Sequence, residues 1–168
     1  QDWLTSYEYF ASRATEKELE TLDSIINNES ISLKLDKVID VSKLLLTKTM
    51  RDINYQVMNV ISAFVPNFIG GSADLVSSTK TYLKLKENSN YTIDNYLGKN
   101  ISFGVREHAM GGILNGMALS NFRVFGSTYL AFADHLKPSL RLSAMMDLPV
   151  TYIFTHDNFL IGQDGPTH

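Results

Sequence analysis

Apolar residues recur at helical spacing in two stretches of this chain. From Thr49 to Phe64 they follow the three-to-four-residue period of an amphipathic helix, and Pro66 predicts where that helix ends. A second stretch, Thr15 to Ile26, lies within residues 1 to 46, which are polar and rich in Glu and Lys. We therefore expect residues 1 to 46 to form a connector with peripheral helices, and the packed domain to begin at residue 47.

Four short apolar runs further along the chain are typical of buried strands. They are Phe68 to Gly71, Ile101 to Gly104, Phe122 to Phe125 and Val150 to Phe154. Two segments of helical length, Glu107 to Ser120 and Tyr129 to Met146, separate the last three runs. This alternation predicts an α/β fold with a mostly parallel sheet and helices on both faces. In such sheets ligands bind at the carboxyl ends of the strands.

Composition excludes several kinds of site and partner. The 168 residues include no Cys, which rules out disulfides, thiolate metal centres and a Cys nucleophile. With 15 basic and 18 acidic side chains the net charge is −3, which argues against a nucleic-acid partner. No apolar run approaches the roughly 18 residues of a membrane span, so we expect no membrane partner. The sequence begins without Met or a secretory leader and stops in a polar segment at His168, so we expect a piece of a longer protein.

The first chemical signal is Glu107, at the point where a predicted strand turns into a helix. A Glu in the opening turn of a helix is often explained by the helix dipole alone. Here the residues that follow include Ala109, Gly111, Gly112 and Gly116, whose small size allows a ligand or another helix to approach closely. A Glu shielded from water at such a place is suited to proton transfer.

The second signal follows the first predicted strand, in Gly70-Gly71-Ser72-Ala73-Asp74-Leu75. Permissive glycines and small side chains would bring Asp74 and the Ser78 hydroxyl to the carboxyl end of that strand. Taken alone, this pattern is also typical of an ordinary turn.

A third signal is a set of His and Asp side chains near the end of the sequence. It comprises His156, Asp157, Asp164 and His168. The spacing is irregular and lacks the i, i+3 or i, i+4 pattern of metal sites on helices. Metal binding and recognition of a hydroxylated or phosphorylated substrate both remain compatible with these residues.

The last signal is aromatic. Tyr129, Phe132 and His135 stand at positions i, i+3 and i+6 of the helix predicted after the third strand. Such a stripe usually packs into a core, and it can equally form a wall for a flat heteroaromatic ring.

Taken together and in this order, the motifs resemble the central, pyrimidine-binding domain of the transketolases, which are thiamine diphosphate enzymes. The resemblance runs from about Arg51 to His168. It rests on Gly-Gly-Ser-Ala-Asp-Leu, Gly-Val-Arg-Glu-His, Ser-Thr-Tyr-Leu-Ala-Phe and Gly-Gln-Asp-Gly-Pro-Thr-His. It implies a cytoplasmic enzyme that transfers a two-carbon ketol unit from a ketose phosphate to an aldose phosphate in the pentose phosphate pathway.

The resemblance also implies roles for individual residues. Glu107 is the catalytic Glu that bonds a pyrimidine nitrogen of the cofactor and so promotes loss of the thiazolium proton. The cofactor pocket comprises Tyr129, Phe132 and His135, with Asp74 near the thiazolium ring. The substrate contacts are Arg51 and Ser78 for phosphate, His156 and Asp164 for sugar hydroxyls, and His168 at the phosphate end, with His156 and His168 counted also as catalytic. Because the family uses this His and Asp set for substrate, we predict no metal site in the chain.

One further family motif is absent from this sequence: Gly-Asp-Gly…Asn, which holds Mg²⁺ and the diphosphate. The resemblance therefore implies half of a site, completed by another domain across a homodimer, and a domain truncated at its C-terminal end. Two alternatives stay open. One is the corresponding domain of another thiamine diphosphate enzyme, such as deoxyxylulose-phosphate synthase or the β-type subunit of a 2-oxo-acid dehydrogenase. The other is a non-catalytic dimerisation or binding module.

Overall fold

The computed structural model describes residues 2–29, 39–40, 49–85, 88–158 and 165–168. The chain divides into two compact units, residues 1–32 and residues 33–168. The domain boundary predicted between residues 46 and 47 falls outside the described residues and stays a prediction.

The first unit holds two helices, α1 (Asp2–Ala11) and α2 (Glu16–Ile26). The α2 helix was predicted, whereas α1 was not. Thr15 and Glu18 begin α2 as a capping box, in which each side chain bonds the other residue's backbone N–H. No residue of either helix is buried, which accords with the polar character of this part of the sequence.

The second unit is built around four parallel strands in the order β2-β1-β3-β4. Its strands are β1 (Phe68–Ser72), β2 (Asn100–Ser102), β3 (Arg123–Tyr129) and β4 (Val150–Thr155). Its helices are α3 (Met50–Phe64), the short α4 (Val76–Thr79), α5 (Glu107–Leu119) and α6 (Ala133–Met145), and two 3₁₀ turns span Leu130–Phe132 and Gly165–Thr167. The predicted α/β class and parallel sheet are confirmed.

The sheet has a hydrophobic core on each face. On one side Met110 and Leu114 of α5 and Leu136 of α6 pack against the strands, each fully buried. On the other side Met58 of α3 packs with Phe125 of β3. Helices therefore cover both faces, as the alternating pattern predicts.

The prediction for the segment after the third strand was wrong in one respect. Tyr129 is the last residue of β3 and does not begin a helix, because β3 stays paired with β4 as far as Tyr129 opposite Thr155. Phe132 ends the following 3₁₀ turn, and only His135 lies in a helix, α6. The three side chains thus come from three elements and not from one helical stripe.

Close strand packing explains the paired glycines of β1. A Cβ at Gly70 would lie 2.0 Å from the Phe125 carbonyl oxygen, and one at Gly71 would lie 1.8 Å from the Ile101 carbonyl oxygen. Both contacts are with backbone, which cannot move aside as a side chain can.

Among the described residues, no helix is long and apolar enough to cross a membrane.

Candidate active site

A cavity of about 420 Å³ lies beyond the carboxyl ends of β1, β2 and β3. The residues that line it are Ala73, Asp74, Leu75, Val105, Glu107, Phe132, His135 and His168. Five of these side chains had been singled out from the sequence, although they are scattered between positions 74 and 168. Parallel pairing brings them to one edge of the sheet, where α/β folds bind their ligands.

Glu107 is the first residue of α5 and is buried, with 6% of its surface exposed. Its Oε1 accepts a hydrogen bond of 3.2 Å from the hydroxyl of Thr128, which has no exposed surface. The position also places a carboxylate at the positive end of the helix dipole. The site therefore combines a buried carboxyl group with an open cavity at its side.

The rings of Phe132 and His135 form one wall of this cavity, whereas Tyr129 is not among the lining residues and stacks on Phe132. The rings of Tyr129 and Phe132 are nearly parallel, at 10° with centroids 5.9 Å apart. The rings of Phe132 and His135 are 6.3 Å apart at 27°. A wall of flat rings beside a buried carboxyl group suits a planar heterocycle that carries hydrogen-bonding nitrogens.

His156 and His168 join the same aromatic cluster. His156 lies against Tyr129 with ring centroids 3.8 Å apart, and His168 meets Phe132 edge to face at 5.5 Å. In each case Nδ1 of the imidazole is bonded to the hydroxyl of the preceding Thr, at 2.8 Å for Thr155 and 2.7 Å for Thr167. The orientation of each imidazole is thus restricted by an aromatic contact and by a hydrogen bond.

Left-handed backbone occurs at two of these strand ends. Asp74, just after β1, has φ 65°, and His156, just after β4, has φ 58°. Non-glycine residues rarely adopt this conformation, and where they do they often lie at functional sites. Here the turns direct the chain away from the sheet at the edge where the cavity lies.

The two proposed phosphate contacts, Arg51 and Ser78, are brought together. Nη1 of Arg51 donates a hydrogen bond of 2.6 Å to the backbone carbonyl of Ser78. Beside it, Nζ of Lys80 donates to Oδ1 of Asp52 at 2.5 Å. That bond and a second one from Thr49 lower the pKa of Asp52 to about 2. Neither Arg51 nor Ser78 is among the residues that line the cavity.

Asp164 lies outside the described residues, so its predicted contact with sugar hydroxyls stays a prediction. Asp157 is described and exposed. Within the described ranges, no group of three or more His, Cys, Asp or Glu side chains is placed to hold a metal ion.

Sequence reasoning missed the buried hydroxyl groups that support this edge. Thr79, Thr81 and Ser127 have no exposed surface, and their hydroxyls lie 2.7 to 3.1 Å from one another. They tie the turn after α4 to the end of β3. The available signal was the adjacent polar pair Ser127-Thr128 in a buried strand, since polar residues inside a sheet need partners.

This arrangement is an α/β domain with a cavity beside a buried carboxyl group at the carboxyl edge of its parallel sheet. Similarity to known proteins names the family. The family profile described as "Transketolase, pyrimidine binding domain" matches residues 47–168. The chain belongs to this family.

Individual relatives agree with the profile. Transketolase from Bacillus subtilis is 54% identical over 114 residues, which cover 67% of this chain and 17% of that protein. A crystal structure of Pichia stipitis transketolase in complex with sedoheptulose 7-phosphate has a TM-score of 0.83 at 33% identity, covering all of this chain and 25% of the other. The crystal structure of transketolase from Campylobacter jejuni has a TM-score of 0.73 at 34% identity, and the match covers 98% of this chain and 24% of the other. The chain thus spans about a sixth of the length of the curated relatives it matches. These similarities favour a transketolase central domain over both alternatives considered from the sequence.

Proposed function

We propose that this chain is the pyrimidine-binding part of a transketolase that transfers a two-carbon ketol unit from a ketose phosphate to an aldose phosphate. The observation that carries the proposal is the buried carboxyl group of Glu107 beside a cavity walled by Phe132 and His135. Family membership supports the same activity. By the same argument the protein acts in the pentose phosphate pathway and in the cytoplasm.

The residues at the cavity fit the aminopyrimidine of thiamine diphosphate. Phe132 offers a ring face for stacking, and Glu107 offers a buried carboxyl group for a ring nitrogen. When bound, thiamine diphosphate would supply the carbon nucleophile that accepts the two-carbon unit. Glu107 would hold and exchange a proton with the pyrimidine, and the aromatic wall would exclude water. Asp74 lines the same cavity and would lie near the thiazolium ring.

The substrate would be held by residues beside this pocket. His156 contacts the sugar hydroxyls and His168 lies at the phosphate end, and both are counted as catalytic. The ring of Tyr129 restricts the orientation of His156, and the ring of Phe132 restricts that of His168. Asp164 contributes to the same set. Arg51 and Ser78 contact the phosphate. In support, Arg51 donates one hydrogen bond to the backbone carbonyl of Ser78, and this bond leaves its other guanidinium N–H groups available.

Mg²⁺ and the diphosphate would be held by a different domain, and the complete site would form in a homodimer. Support for a docking face comes from α5. Three small residues are exposed on this helix: Ala109, Gly112 and Gly116. A Cβ added at Gly112 or Gly116 would meet nothing within 4 Å, and the neighbouring Ile113 is 49% exposed. Bare helix faces of this kind permit close packing of a second helix. Sedimentation of the full-length protein with Ile113→Glu tests this point, and we expect the dimer to dissociate.

The function is tested by assaying the full-length protein with a ketose phosphate and an aldose phosphate. Exchange of the two-carbon unit, dependent on thiamine diphosphate, is expected. Condensation of pyruvate with glyceraldehyde 3-phosphate, with release of CO₂ and no ketose donor accepted, would instead indicate a synthase.

The 168-residue chain by itself is expected to fold without catalysing the reaction. It carries the pyrimidine pocket but not the Mg²⁺ ligands that provide the strongest electrostatic anchor for the diphosphate. Calorimetric titration with thiamine diphosphate and Mg²⁺, beside the full-length protein, should show weak or no binding. Micromolar, Mg²⁺-dependent binding by this chain alone would contradict the half-site account.

A further inference from the structure

Side-chain alternation along β3 places Gly126 and Thr128 on the same face of the sheet. Gly126 faces α5, because a Cβ there would lie 2.4 Å from Cδ1 of Leu114 and 3.2 Å from Sδ of Met110. Without a side chain at Gly126, α5 lies close against β3. Thr128, two residues nearer the carboxyl end, therefore faces the first turn of α5, which begins at Glu107.

The contact that results is a hydrogen bond between two buried groups. Oγ1 of Thr128 lies 3.2 Å from Oε1 of Glu107, and Thr128 has no surface exposed to solvent. Within the described part of the chain, this carboxyl oxygen is the only hydrogen-bond partner of the Thr128 hydroxyl. If the hydroxyl accepted instead of donating, its own hydrogen would be buried without a partner, which is costly. Thr128 therefore donates to Oε1.

We propose that Thr128 is a positioning residue that holds Oε1 of Glu107 and so leaves Oε2 to face the cavity and carry the exchangeable proton. A carboxyl oxygen that already accepts a hydroxyl hydrogen is a poor place for a second hydrogen, so the proton of the acid form resides on the other oxygen. The hydroxyl also restricts rotation of the carboxyl group. This inference rests on the proposed role of Glu107 and adds the residue that orients it.

Three variants of the full-length protein test this role. Thr128→Val removes the hydroxyl while keeping a similar shape, and Thr128→Ser restores a hydroxyl. Thr81→Val is the matched control, because Thr81 is an equally buried hydroxyl that bonds Ser127 and Thr79 and not Glu107. If Thr128→Val fails to fold, Thr128→Cys, whose thiol is a much weaker donor, takes its place.

The first measurement is made without cofactor. Isotope-edited infrared spectroscopy identifies the carboxyl stretching band of Glu107 by its loss in Glu107→Gln. We expect the band to shift in Thr128→Val, to return in Thr128→Ser and to stay unmoved in Thr81→Val. An unmoved band in Thr128→Val overturns the proposal.

The second measurement is the rate of hydrogen–deuterium exchange at the thiazolium carbon of bound thiamine diphosphate. Loss of one buried hydrogen bond should slow exchange roughly tenfold in Thr128→Val, with recovery in Thr128→Ser. An equal loss in Thr81→Val would indicate a general structural effect and overturn the positioning role. If Glu107→Gln itself exchanges at the wild-type rate, the proposed function fails. If Glu107→Gln is slow and Thr128→Val is not, only the role of Thr128 fails.

Discussion

The imidazole of His156 lies against the phenol ring of Tyr129, with the two ring centroids 3.8 Å apart. Tyr129 ends β3 and His156 directly follows β4, so two neighbouring parallel strands end in a pair of contacting rings tilted by 31°. Under the proposed function Tyr129 belongs to the cofactor pocket and His156 to the substrate contacts, so this pair links the two. A substitution at Tyr129 should therefore also affect the orientation of the His156 ring, and a substitution at His156 should affect Tyr129.

Replacing Tyr129 by Leu should weaken both stability and substrate binding. The aromatic pair is worth about 0.5–1.5 kcal/mol beyond its buried area, and without it the His156 ring loses a fixed orientation. Thermal unfolding and the KM for the ketose phosphate measure the two effects. Tyr129→Phe keeps the ring and is the control. Equal KM values for Tyr129→Leu and wild type would contradict the coupling.

His156→Ala in the full-length protein should raise the KM for the donor or acceptor sugar while leaving the affinity for thiamine diphosphate nearly unchanged. The imidazole is proposed to bond sugar hydroxyls, and its removal costs substrate binding. His108→Ala serves as control, since His108 is exposed and bonds Ser139 on α6. Stoichiometric metal in the purified chain, lost on the same His156 substitution, would show that the cluster binds metal instead.

Acid should weaken the contact between α3 and the turn after α4. The Lys80 hydrogen bond lowers the pKa of Asp52 from its ordinary value of 3.8 to about 2. Folding thus favours ionised Asp52, and its contribution is complete at neutral pH and is lost as the pH falls from about 4 to 2. Unfolding measured across this range should show a smaller loss of stability for Asp52→Asn than for wild type.

The control for this experiment is Asp134→Asn. Asp134 pairs with Lys137 within α6, and both side chains are more than 70% exposed, so solvent screens that pair. A pH dependence that responds equally to both substitutions would contradict the specific role of the Asp52 pair.

Gly71→Ala should disrupt the sheet of the 168-residue chain. Its Cβ would lie 1.8 Å from the Ile101 carbonyl oxygen, so β1 and β2 would have to separate. We expect a destabilisation of several kcal/mol, at the upper end of single substitutions. Gly112→Ala is the matched control, since its Cβ meets nothing within 4 Å and alanine favours a helix by about 1 kcal/mol. Similar unfolding midpoints for the two variants would refute the packing argument.

Much of the architecture follows from the sequence because strand and helix periods differ and the apolar runs are short. The order of strands and helices in the second unit and the gathering of Asp74, Glu107 and Phe132 at one edge could be predicted, because parallel strands share the direction of their carboxyl ends. The length of β3 could not. Gly126, Ser127 and Thr128 give little apolar signal, yet they extend the strand through pairing with β4.

Contacts between segments that are distant along the chain also could not be predicted from the sequence. Nothing local to Lys80 indicates that its positive φ and its ammonium group serve a contact with Asp52. Likewise the bond from Thr128 to Glu107 depends on how closely α5 approaches the sheet at Gly126. Such features arise from packing, which periodicity does not encode.

The central claim is that Glu107 is the acid–base group of a thiamine diphosphate site. Hydrogen–deuterium exchange at the thiazolium carbon, compared between the full-length protein and its Glu107→Gln variant, tests it most directly. Loss of an essential acid–base group typically lowers a rate by on the order of 10²–10⁴, and we predict a fall of that size with the fold intact. Exchange at the wild-type rate in Glu107→Gln would contradict the claim.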